Sequence, residues 1–274
     1  VASVFTRDQD AFFLATYLPL LEEMRMHRRF GQVPQRWNSI PTVPVAVDWH
    51  RRQWVVKGES CSEFEDCVRH LIPLQIPTVY LEGYHQLVEQ ASGLPWPKRP
   101  KVIWTSNAYH SDDVFKCWSA EKVEQGSPLV IGQHGGLYGI GRWSSTEDHE
   151  IAISDCYLSW GWADTAQPKV KPVGQLRSKR PLGIRHAEQS RALLVTTTTP
   201  RQSYEMNSFM VSRQWLDYFN DQCAFVENLS PPIREALIVR LFANDWGWDQ
   251  FSRWHDRFPN LRLDEGRSNI NDLI

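Results

Sequence analysis

The sequence predicts an α/β protein built from two units, the second of them incomplete. Three observations carry that expectation. Short apolar runs (Val102-Ile103-Trp104, Leu129-Val130-Ile131, Tyr157-Leu158) are bounded by turn residues and separated by segments of helical pattern, which spells β-α-β-α-β with buried parallel strands. A polar, basic stretch from Lys169 to Ser190 then interrupts the alternation. Beyond it, Ala192-Leu193-Leu194-Val195 opens a second series of strand and helix. The expected organisation is an N-terminal unit over residues 1–172, a linker over 173–190 and a second unit over 191–274.

Residues 8–30 read as an amphipathic helix, with Phe12, Phe13, Tyr17, Leu18, Leu21 and Met24 on roughly one side and Pro19 kinking or dividing it. Residues 32–57, rich in Pro and Trp, have no period and are expected to wrap the surface. A helix from Ser62 to about Leu74 would bury Phe64, Cys67, Val68 and Leu71. Ile76 to Leu81 resembles a strand entered through Pro77, delivering Glu82 ahead of a helix from His85 to Ser92 that Gly93 closes. In the central stretch, Ser111 is the expected N-cap of a helix whose first turn holds Asp112 and Asp113 and which ends before Gly126. Ser144 and Glu147 form a capping box for the next helix. In the second unit an aromatic-rich helix spans about Gln202 to Gln222, Pro231-Pro232 starts another, Leu261-Arg262-Leu263 is a strand, and Ser268 caps a last helix.

Composition narrows the function classes. Lys and Arg number 30 against 32 Asp and Glu, so no global charge favours nucleic acid or an anionic membrane. The basic run from Arg177 to Arg191 reads as a solvated linker. Five cysteines without regular spacing fit neither a disulfide framework nor a zinc site and suit a reducing cytoplasm. No apolar run approaches 18 residues. Thirteen tryptophans suit sugar stacking or ordinary core packing. The chain starts at Val1 and closes on what reads as a helix barely begun, which suggests a piece of a longer protein.

Chemistry is expected where the strands end, because the carboxyl ends of a parallel sheet line its ligand crevice. Gln133, His134, Gly135 and Gly136, with Tyr138 beyond, form the strongest local signal: glycines admit a ligand close to the backbone, and His134 offers a hydrogen-bond donor or a general base. A His-Gly-Gly loop also serves as an esterase oxyanion hole, but the Gly-x-Ser-x-Gly elbow such an enzyme needs is absent from the sequence. Asn107 and His110 sit on a strand-end loop where an acceptor would bind. Glu82 and Asp155 are the candidate carboxylates; Asp155 follows a helix end, where its charge opposes the dipole. Glu147, Asp148 and Glu150 read as solvated helix residues. Asp112 and Asp113 are accounted for by capping, so no metal ligand is assigned. Thr196, Thr197, Thr198 and Arg201 combine hydroxyls, free N–H groups and a guanidinium in one loop, which suits a phosphate or nucleotide.

Taken together, IWTSNAYHSDDVFKCW, GQHGGLYG, SDCYLSWGW and LLVTTTTPR resemble the transferases encoded in bacterial O-antigen and surface-polysaccharide clusters, a family also found in spirochaetes. The resemblance runs from Tyr17 to Asn271. That family is distantly similar to bacterial transferases of 3-deoxy-octulosonic acid (Kdo), which use two Rossmann-like domains and a CMP-activated sugar. It implies a GT-B-like architecture with the acceptor on the N-terminal unit and a nucleotide sugar on the second. The family pattern continues past Ile274 with a further strand and a polar loop, so part of the donor site is expected beyond this chain.

The resemblance thus implies a cytoplasmic glycosyltransferase with no cofactor and no nucleic-acid partner, associated with the inner face of the membrane peripherally at most. Its partners would be a nucleotide-sugar donor and a glycan or lipid-linked acceptor. Asp155, Glu82 and His134 would be catalytic, since a carboxylate beside the anomeric carbon stabilises an oxocarbenium-like transition state. Two other readings stand beside it: a non-catalytic carbohydrate-binding or scaffold domain, and a nucleotide-sugar isomerase.

Overall fold

Five parallel strands lie side by side in the first unit, in the order in which the chain reaches them: β1 (Phe12–Leu14), β2 (Ile103–Thr105), β3 (Leu129–Gly132), β4 (Cys156–Ser159) and β5 (Val170–Pro172). The computed structural model describes residues 5–177, 192–202, 210 and 213–273. The chain divides into two units, Val1–Pro181 and Leu182–Ile274. The strands expected around Ile103, Val130 and Tyr157 are present as adjacent, parallel neighbours. Each is short because both faces are covered and the chain turns as soon as its apolar residues run out.

The two faces are packed unequally. Phe12, Leu14, Ile103, Leu129, Ile131, Tyr157 and Val170 point into the main core. There they meet helices α4 (Tyr84–Ser92), α6 (Asp113–Glu124) and α7 (Ser145–Ile153) through Leu87, Ala91, Val114, Phe115, Trp118 and Ile151. Phe13 and Trp104 face the other way, onto Met26 and Leu176. A strand order that never reverses places crossovers of one hand on one face of a parallel sheet, the face that α4, α6 and α7 cover here. Phe12 anchors the main side among Trp37, Trp96, Phe115 and Trp118, with ring centroids 4.5–6.2 Å away. A ring so buried contributes about 1.5–3 kcal/mol of transfer free energy. Trp37, Trp96, Trp104 and Trp118 therefore serve as core, whereas Trp49, Trp54 and Trp143 are exposed.

The N-terminal segment differs from the expectation of a helix over residues 8–30. Phe12 to Leu14 form β1, and helix α1 (Leu20–Arg29) begins only after Pro19. A continuous apolar triplet buried on both faces has no helical period to obey. The outer edge of the sheet is closed at Ala11, whose N–H and C=O pair with Oε1 (2.7 Å) and Nε2 (2.8 Å) of Gln32, a side-chain substitute for a further strand.

Helix α2 (Glu63–Gln75) lies where a helix was expected and is capped by Ser62, yet Phe64, Cys67, Val68 and Leu71 are all exposed. Helix α6 takes its N-cap from Asp112 instead of Ser111: the carboxylate accepts from the Phe115 N–H at 2.8 Å, and Ser111 ends a separate turn, α5 (Ala108–Ser111). Ser144 caps α7, but Glu147 does not return the bond; its Oε2 accepts from the Gly139 N–H at 2.6 Å. Among the described residues no helix is long and apolar enough to cross a membrane.

Ile76 to Leu81 is not a strand. Pro77 opens the helical turn α3 (Thr78–Leu81), and Glu82 follows a helix. Its carboxylate forks onto Arg52, with Nε and Nη2 each 2.7 Å away, and accepts the Asp48 N–H at 3.1 Å. Arg52 spends Nη1 on the carbonyls of Pro73, Leu74 and Ile76. Both side chains are buried, so the pair clamps the irregular segment before α2 to the turn after it. The Arg52 hydrogen bonds, against the opposing pull of burial, lower the Glu82 carboxyl from 4.5 to about 2. A carboxyl depressed on folding stabilises above its unfolded value and loses that contribution as pH falls toward its folded one. The melting temperature should therefore drop between about pH 4.5 and pH 2. Glu82→Gln should flatten that part of the profile and lower the neutral-pH melting temperature by several degrees, since Arg52 is left buried without its partner. An unchanged acid profile would show that the clamp is not energetically significant.

The second unit contains β6 (Ala192–Val195), β7 (Leu237–Arg240) and β8 (Arg262–Asp264), parallel and again in chain order. The sequence reading anticipated β6 and β8 but not β7, which follows directly on the short helix α9 (Pro231–Glu235). Of the aromatic helix expected over about Gln202 to Gln222, residues 203–209, 211 and 212 lie outside the described residues; the helix present, α8 (Gln214–Glu227), starts later and runs past the expected end. Trp215, Phe219 and Val226 from α8, Trp248, and Trp254 from α10 (Gln250–Arg257) close the core over Leu237 and Val239. Ser268, expected to cap the last helix α11 (Ile270–Leu273), gives its hydroxyl to Asp264 instead. Both units are mixed α/β with parallel sheets, compatible with Rossmann-like folds.

Candidate functional site

The carboxyl ends of β1 and β2 open into a pocket of about 400 Å³ lined by Thr16, Tyr17, Glu23, Arg36, Asn38, Asn107 and Asp112, among others. Its floor is the loop leaving β1, in which Ala15 and Tyr17 adopt left-handed backbone at φ 52° and 61°. Non-glycine residues pay for that conformation, and such strain persists only where surroundings enforce it. Here the Ser106 N–H bonds the Ala15 carbonyl at 3.0 Å, the Ser106 hydroxyl bonds the Thr16 carbonyl at 3.1 Å, and the Thr16 hydroxyl reaches Glu23 at 2.7 Å. Sequence alone did not mark this loop, since no glycine announces its turn. Two carboxylates, one guanidinium and two amides thus line one cavity. Asp112 is partly engaged, by the Ser39 hydroxyl at 2.6 Å and by its helix. Among the described residues Arg36 has no hydrogen-bonding or ionic partner.

Asn107 links this pocket to the loop after β3. Its Nδ2 donates to the Tyr17 hydroxyl at 2.7 Å. The Tyr17 ring carries the Arg177 guanidinium 3.9 Å from its centroid and stacks at 6.4 Å on the imidazole of His134. Arg177, read from sequence as solvated linker, is therefore a cation–π partner of the site. His134 also lies against the Tyr138 ring, 5.6 Å away.

Beneath His134 sits Glu150, whose side chain is 0% exposed. Its Oε1 accepts from the hydroxyls of Tyr109 at 2.5 Å and Tyr138 at 2.7 Å and lies 3.6 Å from His134 Nδ1. Burial, reinforced by Glu150, pushes both tyrosine hydroxyls far above their ordinary range, so they remain O–H donors. Reading Glu150 as a solvated helix residue is thus overturned. The available signal was its position: Glu147, Glu150, Ile151 and Ser154 share one face of α7, and Ile151 identifies that face as inward.

The remaining candidates have internal tasks. Gln133 is buried; its Oε1 takes the Trp160 N–H at 2.8 Å and the Trp162 indole N–H at 2.9 Å, and its Nε2 donates to the Gly135 carbonyl. It shapes the crevice by tying the loop after β3 to the loop after β4. Tyr138 points inward to Glu150. Gly135 lies against the Tyr138 ring, Gly136 faces open space, and His110 is exposed beside the pocket without lining it.

Asp155 lies at the opposite end of the strands. Its Oδ2 accepts the Leu129 N–H at 2.7 Å and its own N–H returns to the Leu129 carbonyl at 2.9 Å, tying the approach to β4 onto the start of β3. The length of β3, roughly 10 Å at about 3.3 Å per residue, separates it from the His134 level. The charge that seemed to oppose a helix dipole is met by this N–H. Asp155→Ala should cost about 1 kcal/mol of stability for the lost bond and leave turnover within twofold. A large loss of turnover with unchanged melting would restore Asp155 to the chemistry. Glu82, clamped by Arg52, is likewise committed to structure.

In the second unit the loop after β6 packs on the loop after β7. The Thr196 hydroxyl bonds the Arg240 carbonyl at 3.1 Å, the Thr197 N–H bonds the Tyr218 hydroxyl at 3.1 Å, and the Thr199 carbonyl accepts the Trp248 indole N–H at 2.7 Å. Arg201 reaches the Gly247 carbonyl at 3.4 Å and lies over the Trp248 ring. The Thr198 hydroxyl is buried and has no partner among the described residues.

In comparison with known proteins, a family model described as LIC12162 family transferase matches residues 1–274. No curated protein and no solved structure matches the chain.

Proposed function

The chain belongs to the LIC12162 family of transferases, and on that premise we propose that it moves a glycosyl group from a nucleotide-sugar donor to a surface-polysaccharide or lipid-linked acceptor. The observation that carries this reading is the pocket at the carboxyl ends of β1 and β2, where Glu23, Asn107 and Arg36 present acceptors and donors suited to a polyhydroxylated ligand. His134, joined to that pocket through Tyr17 and Asn107, takes the proton of the acceptor hydroxyl as it attacks the anomeric carbon. In the second unit Thr197, Thr198 and Arg201 receive the donor phosphate at the end of a parallel strand, where backbone N–H groups converge. The two units work as the halves of a GT-B-type enzyme, acceptor on the first and nucleotide on the second.

A panel of nucleotides, followed by nucleotide sugars, tests the reading by thermal shift. A nucleotide at 100 times its Kd adds about 2.7 kcal/mol to the stability of the state that binds it. Product analysis with and without a glycan acceptor then separates the chemistries. Conversion of the donor only with acceptor present is the expected result. Conversion without acceptor indicates an isomerase, and no stabilisation by any nucleotide indicates a binding module; either outcome sinks the proposal.

A further inference from the structure

We infer that Glu150 is a positioning residue for His134, holding the imidazole with its proton on Nδ1 so that Nε2 is the bare, proton-accepting nitrogen at the crevice. The argument starts from burial. His134 Nδ1 is sealed from solvent and has no hydrogen bond in the resting arrangement, whereas the side chain as a whole keeps 21% exposure. Solvent therefore reaches the ring from its other edge, where Nε2 lies. The polar atom facing the sealed nitrogen is Glu150 Oε1 at 3.6 Å, a separation that closes to a hydrogen bond with a small rotation of the ring.

The carboxylate is built to act as an acceptor. Tyr109 and Tyr138 both donate to its Oε1, which fixes the group and leaves it no donor of its own while ionised. A neutral imidazole opposite such an acceptor places its single N–H toward it. The other groups around the ring do not compete for that proton. Tyr17 and Tyr138 present ring faces, and Arg177 lies over the Tyr17 ring. Glu147 turns to the Gly139 N–H, and the Tyr157 hydroxyl is buried beneath the cluster. A fully buried carboxylate is costly unless paired. Two tyrosine hydroxyls and the imidazole 3.6 Å away all meet its Oε1, while Oε2 is buried without a hydrogen-bond partner among the described residues.

The inference deepens the proposed transfer and relies on it only for the use made of Nε2. Its test is therefore spectroscopic first. Long-range ¹H–¹⁵N correlation spectra of the full chain at neutral pH, with the His134 signals assigned by their loss in H134Q, should show protonated Nδ1 and bare Nε2. In E150Q the Nε2–H form should become populated, and in Y109F the wild-type tautomer should persist because the carboxylate remains. With an active donor and acceptor, E150Q should lower kcat by roughly 10²- to 10⁴-fold with little change in KM.

An Nε2–H tautomer in the wild type overturns the inference whether or not E150Q folds. So does an E150Q spectrum identical to that of the wild type. The expected tautomer in a protein that consumes no nucleotide sugar would instead leave Glu150 as the anchor of His134 and remove the glycosyl-transfer reading.

Discussion

His134→Gln should lower kcat/KM for glycosyl transfer by about 10²- to 10⁴-fold, the usual contribution of a positioned general base. Glutamine keeps a polar side chain of similar reach but cannot take a proton. The fold should tolerate the change, because His134 is held by two ring contacts and forms no hydrogen bond that the surrounding loop depends on. A melting temperature within a degree or two of wild type, together with the large kinetic loss, is the expected pair of results. Asn107→Ala supplies the contrast: it releases the Tyr17 hydroxyl at the pocket wall and should act mainly through KM. Should His134→Gln retain turnover within about threefold, well inside what a lost general base leaves, the proton would have to go elsewhere. Glu23, the pocket carboxylate that accepts from the Thr16 hydroxyl, would then be the group to replace.

Much of the frame that carries this chemistry was legible before any coordinates. Strands β2, β3 and β4 were found because each is an apolar run ending in polar turn residues, and helix α7 because Ser144 caps it. The failures have a common cause. β1 and the turn at Thr78 are both brief apolar stretches, and at three or four residues the periods of helix and strand are indistinguishable. In both places Pro followed or preceded the run, and it marked a helix start instead of a kink or a strand entrance. β7 escaped notice because its four residues follow a short helix without an intervening turn signal.

The loops around the crevice were legible in the sequence; the surroundings of its carboxylates were not. His134 and Asn107 were identified by their place after a strand, and the sheet does bring their loops together through Tyr17. Glu82 and Asp155 were singled out as lone carboxylates near strand ends. Which end of a strand a carboxylate occupies, and whether an arginine from thirty residues away arrives to neutralise it, depend on tertiary packing that no local pattern encodes. Glu150 is the converse: surrounded in sequence by solvated acids, it becomes a buried, hydroxyl-bonded carboxylate only when Tyr109 and Tyr138 are folded over it.

The second large effect is expected in the C-terminal unit. Trp215→Ala should destabilise that unit by about 3–5 kcal/mol, the range for truncating a large aromatic side chain in a core. Trp215 is almost fully buried, stacked between Trp248 at 4.5 Å and Phe219 at 5.5 Å, so its loss leaves a cavity that three short strands cannot collapse to fill. The consequence reaches the candidate phosphate loop. Trp248 rests on Trp215, donates its indole N–H to the Thr199 carbonyl and carries the Arg201 guanidinium over its ring. Removing the lower ring should therefore loosen Thr196 to Arg201 as well as the core, and nucleotide-induced stabilisation should fall with it. Trp215→Phe separates the two contributions: the Trp215 indole N–H is buried without a partner among the described residues, so phenylalanine forfeits no hydrogen bond while keeping a ring beneath Trp248. It should cost much less stability and preserve the nucleotide response. Melting followed by tryptophan fluorescence, with and without nucleotide, reads both quantities in one titration. Equal losses for Trp215→Ala and Trp215→Phe would mean that the indole ring, and not the volume it fills, holds the loop in place.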